Sequence, residues 1–223
     1  MKIKFNFLNN YLDLSKNVNI LCVNNYQILN KIYYNFRNDL EDSLIVIENN
    51  KEINFKKNGV FLSDPFCIDI NTKKNLLMLY EKEAKNLPSA TTDEFEKIKT
   101  SLITLIEDMI FSSTYDLDYD EIINIIDIFA LFKVKFSIYN EKNFCNYFCN
   151  FIKIISGLNN LKIIITYNFL NLFTKDELAF LNVELEKYNI SLLDITFNDN
   201  LYSKKYDTRF ISIYRIDEDL CEY

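Results

Sequence analysis

The sequence predicts an α/β protein whose mostly parallel sheet is interrupted by an all-helical insertion. Short apolar runs of strand length alternate with helical patterns on both sides of residues 71–132, whereas that stretch contains three helical patterns and no strand pattern. Alternating strands and helices favour parallel pairing through crossover connections. Hydrophobic residues make up 49% of the chain and aromatic residues 15%, as in a packed globular protein. We therefore expect an α/β head formed by residues 1–70 and 133–223, and a helical leg formed by residues 71–132.

The first part of the head contains three predicted strands and one helix. Residues 2–7 alternate apolar and polar side chains, and residues 19–23 and 44–48 are short apolar runs. Asn24 or Asn25 follows the second strand in a position to cap a helix. A strand, a tight turn and a helix near the N-terminus are the setting of a nucleotide-binding loop, but this turn has no glycine and no Lys-Ser/Thr pair.

Residues 52–60 resemble a hairpin that turns near Asn58-Gly59 and carries three lysines. These lysines, Lys51, Lys56 and Lys57, could face phosphate groups or lie on a solvated hairpin edge. We call them the head lysines.

Three helices are predicted in the leg. The first spans residues 72–86, and the second starts at a capping box, Thr91-x-x-Glu94, and runs to about residue 113. The third runs from Glu121 to Phe132, with its polar residues in one stripe.

The second part of the head returns to the strand–helix alternation. Lys133 and Lys135 lie on one face of a strand predicted for residues 133–138, which a helix at about 141–156 follows. The remaining predicted elements are a central strand at 161–166, a helix starting at the capping box Thr174-x-x-Glu177, and strands at 191–197 and 210–214.

Missing residue types restrict the possible functions. The chain has no histidine, which removes histidine-based nucleophile activation and metal ligation. With only two glycines, neither a phosphate-cradling loop nor a dinucleotide fingerprint can be formed. The five cysteines include no C-x-x-C pair, and Cys145 and Cys149 are expected to be buried thiols. No apolar run approaches the roughly 18 residues of a membrane helix, and the N-terminus is not a signal peptide, so a cytoplasmic location is expected.

The most informative stretch is the acidic loop, Tyr115 to Glu121, which precedes the third helix of the leg. Its alternating acids would point to one side of an extended segment, and such a cluster of carboxylates is costly without a cation. Hard oxygen ligands of this kind suit calcium or magnesium. The candidate ligands are Asp116, Asp118, Asp120, Glu121 and Asp127.

The acidic loop has two other interpretations. The spacing nearly fits a helix–loop–helix calcium hand, but Glu121 occupies the position where that motif needs glycine, so we reject the motif. The acids could instead form an N-cap and first helical turn stabilised by the helix dipole, and the pattern alone leaves this alternative open.

Charge is distributed unevenly along the chain. Residues 71–132 contain six lysines and twelve acidic residues, and the tail from residue 217 adds four more acids. The rest of the chain has a balance of +3, although the net charge of the whole chain is −7. A mildly basic head beside an acidic leg permits a local anion-binding surface.

Three stretches of the chain stand out by their order and spacing. Residues 68–72 read Ile-Asp-Ile-Asn-Thr, residues 116–121 form the acidic loop, and residues 168–177 have the pattern Asn-x-Leu-x-x-Phe-Thr-Lys-Asp-Glu. Together they resemble the short form of the Csn family of CRISPR-associated adaptation proteins from type II-A loci. In that family the first stretch enters the helical part, the second is the acidic loop and the third is a strand-to-helix turn, although Tyr115 stands where leucine is usual.

The resemblance implies a head like that of a P-loop ATPase without working phosphate motifs, joined to a helical leg. It implies homotetrameric rings that calcium at the acidic loop stabilises, with double-stranded DNA ends threaded through a positively lined hole. It further implies a non-enzymatic role in spacer acquisition beside the integrase pair and the effector nuclease. The head lysines, with Lys133 and Lys135, are our candidates for contacting DNA. The alternatives are a metal-dependent nuclease and a degenerate nucleotide-binding regulator.

Overall fold

The structure, a computed structural model, describes residues 1–8, 10–38, 44–137, 143–197 and 210–216. The chain forms two compact units. The α/β unit comprises Met1–Asp69 and Ile138–Tyr223, and the helical unit comprises Ile70–Ser137. The acidic tail from residue 217, which includes Cys221, lies outside the described residues.

Nine strands are described, all in the α/β unit. They are β1 (Lys2–Phe5), β2 (Leu12–Asp13), β3 (Val18–Val23), β4 (Leu44–Glu48), β5 (Lys51–Ile53), β6 (Gly59–Leu62), β7 (Ile163–Tyr167), β8 (Ser191–Thr196) and β9 (Ile211–Ile216). The described helices of this unit are α1 (Tyr26–Arg37), α2 (Phe55–Asn58), α6 (Phe144–Leu158) and α7 (Lys175–Tyr188). The described helices of the helical unit are α3 (Lys73–Lys85), α4 (Ser89–Phe111) and α5 (Ile125–Leu131).

A five-stranded sheet forms the centre of the α/β unit. Its strand order is β6-β7-β8-β3-β9, and every neighbouring pair is parallel. Strands β3, β7 and β8 are almost entirely buried, as expected for a parallel sheet that is covered on both faces. The expectation of an α/β fold with a mostly parallel sheet is therefore confirmed.

A second, antiparallel sheet was not predicted. Its order is β2-β1-β4-β5. The predicted hairpin turn near Asn58-Gly59 is wrong: the chain turns between β4 and β5 at Asn49 and Asn50, which both have positive φ. Gly59 instead allows the Phe55 ring to lie close to the backbone, because a Cβ at this position would clash with that ring.

The hydrophobic core of the α/β unit joins the two sheets. It includes Ile3 and Phe5 of β1, Val46 of β4, and Ile163 and Leu193 of the parallel sheet. Because residues of the antiparallel sheet share one buried cluster with the parallel strands, both sheets belong to a single folding unit.

Helices α3 and α5 pack together in the helical unit, where the rings of Tyr80 and Phe129 have centroids 5.6 Å apart. The long helix α4 starts at Ser89 behind Pro88, not at the predicted capping box of Thr91. Proline suits the start of a helix because it lacks a backbone N–H, and the first N–H groups of a helix have no partner within the helix.

The strand predicted for residues 133–138 is absent from its described part, residues 133–137, which belong to the helical unit. Helix α5 ends in a Schellman motif: Lys133 has φ 51°, and the N–H of Val134 donates to the carbonyl of Phe129 at 3.0 Å. After this point, side chains make the hydrogen bonds to the backbone that a neighbouring strand would otherwise make. The carbonyl of Val134 accepts from the Tyr80 hydroxyl at 2.6 Å, and the Asn71 amide bonds both backbone groups of Phe136.

Candidate metal centre and nucleic-acid interface

The acidic loop connects α4 to α5 and carries four of the five predicted metal ligands. Asp116, Asp118, Asp120 and Glu121 are all exposed to solvent. The predicted helix start at Glu121 is wrong, because α5 begins at Ile125. The loop therefore presents its carboxylates from irregular backbone.

Two of these carboxylates are used within the loop itself. Asp118 Oδ1 accepts the N–H of Tyr119 at 2.9 Å, and Asp120 Oδ1 accepts the N–H of Ile122 at the same distance. The second contact is an Asx turn, in which the side chain replaces a backbone acceptor two residues away. Local hydrogen bonds thus fix the directions of both side chains.

Tyr119 fastens the loop to α4. Its hydroxyl donates to Glu107 Oε1 at 2.9 Å and lies 3.5 Å from Glu121 Oε1. The hydrogen bond to Glu107 is the main cause that raises the pKa of Tyr119 to about 12, because ionisation would place a phenolate beside a carboxylate. Two acids from separate elements are therefore joined through one neutral phenol.

Glu107 was not predicted as part of this site. It directly precedes Asp108 near the C-terminal end of α4, where the helix dipole disfavours negative charge. Two acidic residues at the C-terminal end of a predicted helix were the sequence signal that could have identified Glu107 as part of this site.

Asp127 has a structural role that accounts for its position. Its Oδ2 accepts the N–H of Asn124 at 2.8 Å, which forms one half of a capping box at the start of α5. Asp127 thus lies in the first turn of α5 and takes part in the cap of that helix. Asn124-x-x-Asp127, and not Glu121, marks the true start of the helix.

The predicted ligands suit calcium chemically but do not converge. Carboxylate oxygens are the ligands that calcium prefers. Among the residues that the structure describes, however, no group of three acids or thiols is placed to hold a metal ion. A preformed calcium site within one described chain therefore does not fit this geometry.

The candidate DNA-binding lysines belong to both units. Lys51 is exposed on β5, and Lys56 and Lys57 are exposed on the short helix α2, which Asn54 caps. Lys133 and Lys135 are exposed in the segment after α5, within the helical unit. The head lysines thus form a group of their own, separate in the chain from the other pair.

Side chains of residues 68–72 stabilise the start of the helical unit. Asn71 bonds the backbone of Phe136, as described above, and Thr72 caps α3 by accepting the N–H of Asn75 at 3.3 Å. Ile70 is fully buried. Each of these side chains has a structural role at this junction in the sequence.

The turn from β7 to α7 depends on a buried carboxylate. Asp194 of β8 is fully buried and accepts hydrogen bonds from the Thr166 hydroxyl at 2.7 Å and from the N–H groups of Phe169 and Leu170, each at 3.0 Å. The predicted capping box at Thr174 is confirmed. Sequence reasoning had placed Asp194 within a strand and given it no role.

The turn from β3 to α1 occupies the place where a phosphate-binding loop would lie. Asn25 Oδ1 accepts the N–H groups of Gln27 and Ile28 at 2.9 and 3.2 Å. The ring of Tyr26 stacks on that of Phe197 with centroids 3.7 Å apart. The donors that a phosphate would need at this helix start therefore already have an acceptor from the chain.

The fold and these surfaces define a class: an α/β protein with an all-parallel central sheet and a helical unit that carries an acidic loop. In comparison with known families, the chain matches over residues 41–220 the family described as CRISPR-associated protein (Cas_Csn2). The chain belongs to this family, which confirms the resemblance seen in the sequence and gives it a CRISPR-associated role. A search of curated proteins found no match. In the parts of the chain that the structure describes, no helix is both long and apolar enough to span a membrane.

Proposed function

We propose that the chain forms a homotetrameric ring that binds the ends of double-stranded DNA without reading their sequence. In this proposal it has no catalytic activity and supports spacer acquisition in the cytoplasm, beside the integrase pair and the effector nuclease. The observation that carries the proposal is the family match over residues 41–220.

The exposed apolar surface of the helical unit supports association between copies. Helix α4 exposes about half or more of each of several large side chains, and the end of α5 does the same. These side chains are Ile98, Leu105, Met109, Phe111, Leu131 and Phe132. Large exposed apolar side chains in this number favour a protein interaction site, and in the proposal a second copy covers them.

The charge distribution requires an oligomer if DNA is the ligand. The net charge of −7 opposes DNA binding by a single chain, because affinity comes mainly from phosphate neutralisation by lysine and arginine. Fourfold symmetry multiplies the head lysines of each subunit, so a few cations per chain suffice. The lysines contact phosphates, not base edges, and binding is therefore independent of sequence.

In the proposal, the calcium site becomes complete only when the subunits assemble. One described chain does not gather three carboxylates, so the ion needs a ligand from another chain or a rearranged acidic loop. Asp116, Asp118, Asp120 and Glu121 are the side chains available for this role, because Asp127 caps α5. Residues 71–132 contain twelve acids, so the positive charge of bound calcium would also reduce repulsion between subunits.

Two alternatives are distinguished by simple assays. A degenerate nucleotide regulator would need donors at the start of α1, and Asn25 already occupies two of them. A metal-dependent nuclease would cleave DNA when its metal is bound, so the fate of the DNA distinguishes it from a clamp.

The decisive experiment combines sizing with DNA binding. We expect light scattering to give a tetramer in calcium and smaller species in chelator. Linear duplex should then be retarded intact on a gel, whereas circular DNA should bind far less well. Equal affinity for both DNA forms would refute threading, DNA fragments would indicate a nuclease, and micromolar binding of ATP would revive the regulator.

A further inference from the structure

A cavity in the α/β unit has a chemistry that the proposed function does not use. It has a volume of about 430 Å³ and lies where β6 and β7 end beside α1. Ligands of open parallel sheets bind at the carboxyl ends of the strands, so the position is typical of a binding site. Its lining residues are Leu29, Asn30, Tyr33, Ser63, Asp64 and Tyr167.

The three elements around the cavity place its polar groups side by side. Helix α1 contributes Asn30 and Tyr33, which lie one turn apart, and Tyr167 is the last residue of β7. Ser63 and Asp64 directly follow β6. Hydroxyl, amide and carboxylate oxygens thus converge on one space from rigid parts of the sheet and its covering helix.

Asp64 gives the cavity a negative charge. Its Oδ1 accepts the N–H of Phe66 at 2.8 Å and its Oδ2 accepts the thiol of Cys67 at 3.2 Å, so the carboxylate is held in one orientation. Its hydrogen bond and charge raise the pKa of Cys67. No lysine or arginine forms an ion pair with Asp64 among the residues that the structure describes.

Two tyrosine rings line the same cavity as Asp64. The centroids of Tyr33 and Tyr167 are 6.5 Å apart with their planes at 64°, so the rings form a corner instead of a stack. Aromatic faces attract cations, and Asp64 provides the opposite charge. None of the described residues that line the cavity is basic, so a phosphate group would be repelled.

We propose that this cavity binds an alkylammonium group, with Asp64 as its counter-ion and Tyr33 and Tyr167 as its aromatic walls. The ammonium could belong to a free polyamine or to a lysine side chain of a partner protein. Both have an extended methylene chain that Leu29 and the rings can contact. The proposal concerns the α/β unit alone and does not depend on DNA binding.

The test uses spermidine and Nα-acetyl-lysine amide as probes for the two sources. The chain has no tryptophan, so tyrosine fluorescence and calorimetry can follow binding to the full-length protein. At physiological salt we expect saturable binding of at least one probe. Saturation by spermidine alone assigns a polyamine, and saturation by the lysine amide assigns a side chain. Saturation by neither probe, or displacement of the bound amine by ATP, overturns the proposal.

The variant Asp64→Asn tests whether the amine binds at this cavity or is only attracted by the overall negative charge of the protein. The amide oxygen can still accept the N–H of Phe66, but the charge is lost, so affinity should fall at least about tenfold. Asp176→Asn, which removes an exposed charge from α7 in the same unit, should leave affinity unchanged. Equal affinity of the Asp64 variant and the wild type would overturn the proposal. If the Asp64 variant does not fold, Tyr33→Leu replaces it and must weaken binding while leaving the circular dichroism spectrum unchanged.

Discussion

Replacing Asp194 with alanine tests how the α/β unit holds the turn between β7 and α7. Within the described part of the chain, the fully buried carboxylate accepts hydrogen bonds from the Thr166 hydroxyl and from the N–H groups of Phe169 and Leu170. Alanine leaves three donors without this acceptor, and each unsatisfied buried donor costs about 1–3 kcal/mol. Because these losses are shared within one network, they do not simply add. We expect the free energy of unfolding to fall by about 3–5 kcal/mol, a large part of the roughly 5–15 kcal/mol typical of a domain.

Urea unfolding followed by circular dichroism measures this loss as a lower transition midpoint at unchanged slope. Asp176→Ala is the matched control, since this exposed acid in the first turn of α7 contributes only about 0.3–1 kcal/mol through the helix dipole. Asp194→Asn keeps one acceptor oxygen and should give an intermediate loss. An Asp194→Ala variant as stable as the Asp176 control would show that the network contributes little to stability.

The proposed assembly and its acidic loop lead to three more predictions. Alanine at each of the head lysines should weaken binding of labelled duplex about equally for all sequences, as measured by fluorescence anisotropy. The slope of log affinity against log salt concentration should fall by about one unit per lost phosphate contact. An unchanged slope would exclude those lysines as phosphate contacts. The double variant Asp118→Ala with Asp120→Ala should weaken the tetramer and its DNA affinity together in light scattering and gel assays, and a variant still fully tetrameric in chelator would remove the structural role of the metal. The phenol of Tyr119 can donate to Glu107 only while it is protonated. This contact is therefore complete below the ordinary tyrosine pKa of 10.0 and is lost as the pH rises through the raised pKa of about 12. The ultraviolet difference spectrum between wild type and Tyr119→Phe should show phenolate forming near pH 12, and a transition near pH 10 would disprove the contact.

Local signals in the sequence predicted part of this fold well. Asn25 and Thr174 cap their helices as expected, because a cap depends on residues within one turn. The apolar runs of β3 and β7 are buried strands because only a covered parallel sheet accommodates such runs. These features need no information from distant parts of the chain.

Other features depend on partners that are distant in sequence. The antiparallel sheet exists because β1 pairs with β4, about forty residues further along the chain, and no local pattern specifies that pairing. The alternation after α5 had the period of a strand, yet the side chains of Asn71 and Tyr80 satisfy the backbone there. Alternation indicates which side chains are apolar, but not whether a neighbouring strand is available.

The composition of the acidic loop was predictable, whereas the use of each carboxylate was not. Five acids were assigned one common role, but in the structure Asp127 caps a helix and Asp120 forms an Asx turn. Tyr119 joins the loop to Glu107, which the sequence argument did not consider. Short-range hydrogen bonds to backbone compete with metal ligation for the same oxygens, and spacing alone does not decide that competition.

In the proposed assembly, this competition would link calcium binding to the association of subunits. In one chain, Asp118 and Asp120 each accept a backbone N–H, so a cation must displace those bonds or share the oxygens. If a second subunit supplies the missing ligands, calcium binds the assembled form more tightly, and by thermodynamic reciprocity assembly then raises the apparent calcium affinity. Calorimetric calcium titrations at two protein concentrations, about a hundredfold apart, should therefore give tighter apparent binding at the higher concentration. Tyr119→Phe, which frees the loop from α4 without removing a carboxylate, is the matched variant and should keep this concentration dependence. Equal calcium affinity at both concentrations, with binding to monomers, would place the complete ligand set within one chain and contradict the shared site.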